Sequence, residues 1–347
     1  MEKKSINFKR KDITGRNGRL LKFTIKICVT IILLICVFSQ IELQQFDKYL
    51  KNFNWQFIIT IWILIIMLSY INSVKMQVIL KKQGCNINIS KLFAASAVTS
   101  FYGMFIPGLL STSVKWYILK KDTGKGSHVF SSMVYNQFTE VITILVFGLT
   151  VLAIVNPASV LFPVINNKSI LPIVCLILII SAVSLSLSLL NPRMCKKTDR
   201  FLGYMLNYLP HKPRQKAQEV ISQLAVFQTV GYRFHFLIMV ITIVNTFAGS
   251  GAIYFLAAKG ANIEVPLGLF FWMPAIIYIL GKIPISIANL GVREITLIGI
   301  LTAYGVDASA ALLMSMILFS SIVFMAIIGA ICQIYLSCLK TNVMPKS

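Results

Sequence analysis

Residues 282–305 read KIPISIANLGVREITLIGILTAYG, and the fold turns on what this stretch cannot be. It is apolar enough to enter a bilayer, but Pro284 and the Asn289-Leu290-Gly291 turn interrupt it. Arg293 and Glu294 then stand where a second apolar helix begins. A straight membrane span tolerates this combination poorly. Irregular backbone at membrane depth survives only where it is buried in protein or lines a cavity. The stretch therefore reads as the turn of a re-entrant hairpin, with Pro284 and Ser286 shaping its entry.

The rest of the chain supplies the membrane setting. Of its 347 residues 57% are hydrophobic and 13% charged, against about 25% charged in a soluble domain. An all-α polytopic membrane protein is expected. The formal charge of +22 comes from 33 Lys and Arg against 11 Asp and Glu. Most of these cations sit in loops and in the N-terminal tail, as the cytoplasmic excess of Lys and Arg requires. Attraction to anionic lipid explains them better than nucleic acid does. The seven cysteines are scattered and form no CxxC, and the three histidines are isolated. No disulfide framework, metal site or cofactor is expected.

Taken in order, residues 1–22 form a basic cytoplasmic tail and 23–340 a single integral membrane domain. A retained first span is expected at about 23–42 and a second from about Trp55 to Leu80. Residues 91–121 are broken by Pro107-Gly108, with Ser111, Thr112, Ser113 and Lys115 following. Lysines flank both ends, Lys81, Lys82 and Lys91 before and Lys120, Lys121 and Lys125 after. If basic ends stay in the cytoplasm, this piece enters and leaves on one side, as a hairpin of two half-helices. Further spans are expected at about 127–155, 169–190, 233–257 and 308–339, making about six full spans and two broken-helix hairpins. A basic connector, 192–231, carries an amphipathic helix at 215–230 that is expected to lie on the membrane surface. Only Lys48, Lys51, Lys168 and Lys259 fall in loops assigned to the far side, while Lys282 and Arg293 lie in the second break. This places both termini in the cytoplasm, in what reads as a bacterial inner membrane.

The two breaks resemble each other. Each runs aromatic, apolar, Pro, short turn, cation and apolar half-helix, with Lys115 eight residues after Pro107 and Arg293 nine after Pro284. Each lies between two full spans, the first hairpin opening inward and the second outward. The halves at about 55–156 and 232–339 are thus expected to form an inverted repeat, a pattern that points to a transport site near the midplane.

The chemistry follows from half-helix N-termini, whose unpaired N–H groups and positive dipole ends favour anions. Arg293, Glu294, Lys115, Glu140, Asn289 and Gly291 are the candidate substrate-binding residues, and Pro107, Gly108, Pro284 and Ser286 the structural turns. Ionisable groups inside a bilayer are functional candidates by default. Arg293 and Glu294 could instead be a buried pair that holds the hairpin shut, and Glu140 could pair with Lys115 or Arg293. Lys75 and Lys282 are expected to snorkel, Asp307 to cap a helix, and Tyr135-Asn136-Gln137 to line a polar path or bond across helices. No catalytic residues are assigned: the sequence holds no nucleophile–His arrangement and no phosphate-binding glycine loop.

Around PISIANLGVRE (284–294) the sequence resembles the flippase-like membrane family found as the transmembrane region of lysylphosphatidylglycerol synthases, or multiple peptide resistance factors. The resemblance spans about residues 20–340 and includes Pro107, Gly108 and Lys115 in the first break. Asn289 stands where the family usually carries Gly, and Asn136, Gln137 and Glu140 stand where it usually carries Glu-Arg and an acid. The resemblance implies movement of a lipid between leaflets, with lysine transfer left to a separate soluble domain that is not expected here. The substrate would be an anionic phospholipid or a polyprenyl-phosphate-linked glycan. Two other functions remain open: a lipid-modifying transferase using Glu140 or Glu294, and a non-catalytic membrane subunit of a polysaccharide or lipid synthesis complex. A homo-oligomer or a biosynthetic partner protein fits either.

Overall fold

A computed structural model describes residues 54–106, 108–161, 169–190, 222–281 and 291–341. They are almost wholly helical, with no strand among them. The expected first span at 23–42, the N-terminal tail and most of the connector lie outside the described residues, as do Pro107, Pro284, Ser286 and Asn289.

Four helices are long and apolar enough to cross a membrane. They are α1 (Trp55–Lys82), α4 (Gly126–Val155), α6 (Tyr232–Gly260) and α9 (Ala308–Thr341), with α9 meeting the criterion over Ala308–Tyr335. At 1.5 Å per residue, the 28 residues of α1 reach about 42 Å, beyond the roughly 30 Å hydrocarbon core. A fifth apolar helix, α5 (Ile170–Leu190), packs against α4. Its Ile173, Leu176, Ile177 and Ile180 are exposed in the protein, as lipid-facing side chains should be. The protein is an integral membrane protein.

Between α1 and α4 the chain makes α2 (Ile89–Phe105) and α3 (Gly108–Thr123). Seventeen and 16 residues extend only about 25 Å each, too short to cross. They pack against each other. The Lys91 ammonium near the start of α2 reaches the Asp122 carboxylate near the end of α3 at 2.7 Å, so the pair enters and leaves at one end. That end is shared with α1, because Lys125 just past α3 donates to the Gly84 carbonyl at 3.2 Å. Met76, Leu80, Leu92, Leu119 and Val129 bury together there.

The second hairpin is α7 (Leu269–Gly281) and α8 (Val292–Ala303), again two half-length helices in contact. Its outer ends belong to another core, where Leu269, Trp272 and Leu301 meet Ile61 of α1 and Leu313 of α9. Ile61 and Met76 are 15 residues apart on one helix, about 22 Å. The two hairpins therefore open towards opposite ends of α1.

Glycine sets the tightest contacts. A Cβ on Gly329 of α9 would lie 2.0 Å from the Ala97 carbonyl oxygen of α2, and one on Gly148 of α4 would lie 2.4 Å from Ala275 Cβ of α7. Both hairpins are thus clamped to full spans through small residues, the usual way membrane helices approach closely.

Only the end of the connector lies among the described residues. Residues 222–229 are helical, but Phe227 is buried and stacks on Tyr135 of α4 at a ring separation of 4.1 Å. The Gln83 side-chain amide also donates to the Gln223 carbonyl at 2.7 Å. The described part of this helix, 222–229, thus contacts the bundle through Phe227 and Gln223, while residues 215–221 lie outside the described residues. Asp307 caps α9 as expected, accepting from the Ser309 N–H at 2.8 Å and the Ala310 N–H at 3.3 Å.

Candidate functional site

The chain leaves the second break through Gly291, whose φ of 85° suits glycine and strains other residues. Its N–H donates to Glu294 Oε2 at 2.6 Å. The other carboxylate oxygen accepts from the Arg293 guanidinium and from the Ser315 hydroxyl of α9, the latter at 3.1 Å. The guanidinium also lies over the Phe319 ring of α9, 5.4 Å from its centroid. Arg293 is 8% exposed and Glu294 5%, so the pair is dry and neutral as a unit. Glu294 occupies the place where an external anion would bind a helix N-terminus, and it offsets the dipole from within the chain. Arg293 and Glu294 are thus brought together, with Gly291, as a latch between α8 and α9. Asn289 lies outside the described residues.

At the other hairpin the charges do not cancel. Lys115 of α3 lies within electrostatic reach of Glu140 of α4 and Lys75 of α1, two cations for one carboxylate. Glu140 also hydrogen-bonds the Tyr278 hydroxyl of α7, which accepts from the Gln137 side chain at 2.9 Å. Lys75 does not snorkel. It is 1% exposed, and its ammonium approaches the Thr242 hydroxyl of α6 at 3.5 Å. Snorkelling needs a free path to the interface along the helix, and here α6 closes that path.

The depth is that of the hydrocarbon core. Glu140 sits 14 residues into α4 and Lys75 seven from the end of α1, about 21 and 10 Å from the basic end. Beside Lys115 opens a cavity of about 210 Å³, walled by Ser69 and Asn72 of α1, Ser96, Thr99 and Ser100 of α2, and Met325 of α9. This polar chamber is set among apolar helices, with a cation in its wall. Chemically it can hold an anion and exchange hydrogen bonds with neutral polar groups.

Of the sequence-derived site residues, Lys115 and Glu140 converge here, and Gly108 starts the half-helix that carries Lys115. The Tyr135-Asn136-Gln137 run bonds across helices at two positions, Gln137 to Tyr278 and Tyr135 to His235 Nδ1 at 2.7 Å. Lys75, Thr242 and Tyr278 were not predicted for the site. The hydroxyl wall could have been found, because Ser96, Thr99 and Ser100 recur at three- and four-residue spacing on an otherwise apolar helix, and so share one face.

The family model described as the lysylphosphatidylglycerol synthase TM region matches residues 23–330. The chain belongs to this family. Its description ties the family to a membrane lipid, which gives the polar cavity a membrane-lipid-related context. No curated protein and no solved structure matches the chain.

Proposed function

We propose that the protein is a translocase that carries an anionic lipid, a phospholipid or a polyprenyl-phosphate-linked glycan, between leaflets. One observation carries this reading: Lys115 lines a polar cavity at membrane depth, with the single carboxylate of Glu140 and a second cation, Lys75, within its electrostatic reach. Buried ionisable groups in a bilayer are costly and mark substrate or ion pathways. An excess of one cation is what a negatively charged head group would neutralise. Lys115 holds the anion, and Glu140 offsets the repulsion between the Lys115 and Lys75 ammonium groups when no ligand is bound. The hairpins opening to opposite ends support the inverted-repeat arrangement of the halves at 55–156 and 232–339, which is how alternating-access carriers are built. In this reading Arg293, Glu294 and Gly291 fix the second hairpin. The basic ends of α1 and α3 face the cytoplasm of a bacterial inner membrane.

The test is lipid movement in liposomes containing the purified protein, with fluorescent anionic and zwitterionic lipids. The expected result is transfer of the anionic lipid, slowed at least about tenfold in Lys115→Gln, the loss of one charge-assisted contact. Equal transfer of both lipids, or transfer indifferent to Lys115→Gln, would overturn the reading.

A further inference from the structure

Hydrogen-bond directions among the buried polar groups fix which of them are charged. Thr242 donates its only hydrogen to the Ile238 carbonyl at 2.7 Å. Towards Lys75, at 3.5 Å, it can therefore only accept. A partner that only accepts suits an ammonium, which only donates. Gln137 donates its side-chain amide to the Tyr278 hydroxyl oxygen at 2.9 Å, which leaves the Tyr278 hydrogen for Glu140. Glu140 is thus an accepting carboxylate. Lys115 lies within electrostatic reach of both Lys75 and Glu140, while the Arg293–Glu294 pair cancels itself. Among the described residues, the interior of the bundle keeps one positive charge in excess.

We infer that this excess makes the empty site, and not the loaded one, the form that feels the membrane potential, so that the potential drives the anion outward. The inference rests on the translocase reading above and names the energy source that reading leaves open. A singly charged anion on Lys115 cancels the excess and leaves the loaded site neutral. When a neutral site changes access from one face to the other, no charge moves through the field. The empty site carries its excess through the same change. Neither lysine can leave that charge behind. Lys75 is 1% exposed and tied to α6 through Thr242, and Lys115 stands on the half-helix beside the cavity. A potential negative inside holds a positive empty site open to the cytoplasm, where the next anion loads. One charge carried across 100 mV shifts a population by about fiftyfold. No second ion is needed to neutralise the loaded site.

The experiment uses the purified full-length protein in phosphatidylcholine vesicles, with a potassium diffusion potential set by valinomycin. The probe is a trace of fluorescent phosphatidylglycerol, which carries one negative charge, and fluorescent phosphatidylcholine is the control. At 100 mV, negative inside, the anionic probe is expected to approach an outer-to-inner ratio of about fiftyfold. The ratio should return to about one when the potential is collapsed, and the control lipid should not respond. A second arm adds abundant unlabelled phosphatidylglycerol to both leaflets, so that the site exchanges one anion for another and rarely crosses empty. Exchange in the parent should run at the same rate with and without the potential. Lys75→Met leaves the loaded site with a net negative charge, and Glu140→Gln leaves it with a net positive one. Exchange in each variant should change at least about threefold across 100 mV, so either variant alone serves if the other does not fold. A purely structural role would alter the rate without making it respond to voltage. A probe ratio that ignores the potential and follows a pH or sodium gradient overturns the inference, as does parent exchange as voltage-sensitive as that of Lys75→Met. Movement without a voltage response removes this inference and leaves the transport reading standing; no movement of either lipid removes both.

Discussion

Among the described residues each hairpin carries one ion pair, and the two pairs sit at opposite ends of their hairpins. In α2–α3 the pair is Lys91–Asp122 at the open mouth, with side chains 58% and 34% exposed. In α7–α8 it is Arg293–Glu294 at the turn, almost fully buried. The placement decides what the deep end of each hairpin can do. Where the acid lies in the turn, the helix N-terminus and the charge of the adjacent cation are offset from within. Where the acid lies at the mouth, the deep cation, Lys115, is left to a carboxylate on another helix that it shares with Lys75. One hairpin is finished as a structure, and the other keeps an excess charge facing a cavity. In the proposed reading, two breaks that look alike in sequence therefore divide the work between holding and binding.

The largest effect expected from this contrast is at the latch. Glu294→Ala strands the Arg293 guanidinium in a dry site and leaves Gly291 N–H and Ser315 without their acceptor. Breaking one side of a buried pair costs about 3–5 kcal/mol, so thermal unfolding in detergent should show a large fall in midpoint. Arg293→Met with Glu294→Gln, which removes both charges, should recover most of that loss. If the double variant is as unstable as Glu294→Ala, the pair is not a closed unit and the division of work fails.

Lys75→Met sharpens the other side. A buried charge replaced by an apolar chain of similar length is often neutral or stabilising, and Lys75 has one hydroxyl contact to lose. The unfolding midpoint should hold or rise, while transfer of an anionic lipid should fall about tenfold, the equivalent of roughly 1.4 kcal/mol of binding. A residue that only packs would show the opposite order: lost stability with transport intact.

The sequence made this architecture legible to unequal depth. Length and hydropathy located α1, α4, α6 and α9, because a membrane helix announces itself by about 20 apolar residues in a row. The flanking lysines disclosed the first hairpin, since charge stays out of the hydrocarbon whatever the fold, and Lys91–Asp122 closes its mouth where those lysines lie. Arg293 and Glu294 were visible as buried charges, but which of the two readings they served depended on Ser315 and Phe319, 21 and 26 residues away on α9. Lys75 was misread for a related reason. Its fate is set by Thr242 on α6, and a lysine near a helix end carries no local mark of what stands over it. The docking of the connector through Phe227 and Tyr135 is a long-range pairing of the same kind.

The smallest effect is expected at the mouth of the first hairpin. Lys91→Ala removes an ion pair that is exposed on both partners, screened by salt and held by two flexible side chains. Such pairs contribute about 0–1 kcal/mol. The substitution should shift the unfolding midpoint only slightly, and less still in high salt, where screening has already weakened the pair. The mouth has other ties, the Lys125 contact to the Gly84 carbonyl and the Trp116 indole donating to the Gly126 carbonyl at 2.8 Å. Transport and lipid binding should therefore stay near the parent level. A large, salt-insensitive loss on Lys91→Ala would mean that the hairpin is held at its mouth as firmly as the other is held at its turn. The asymmetry between them, and with it the assignment of binding to one and holding to the other, would then have to be abandoned.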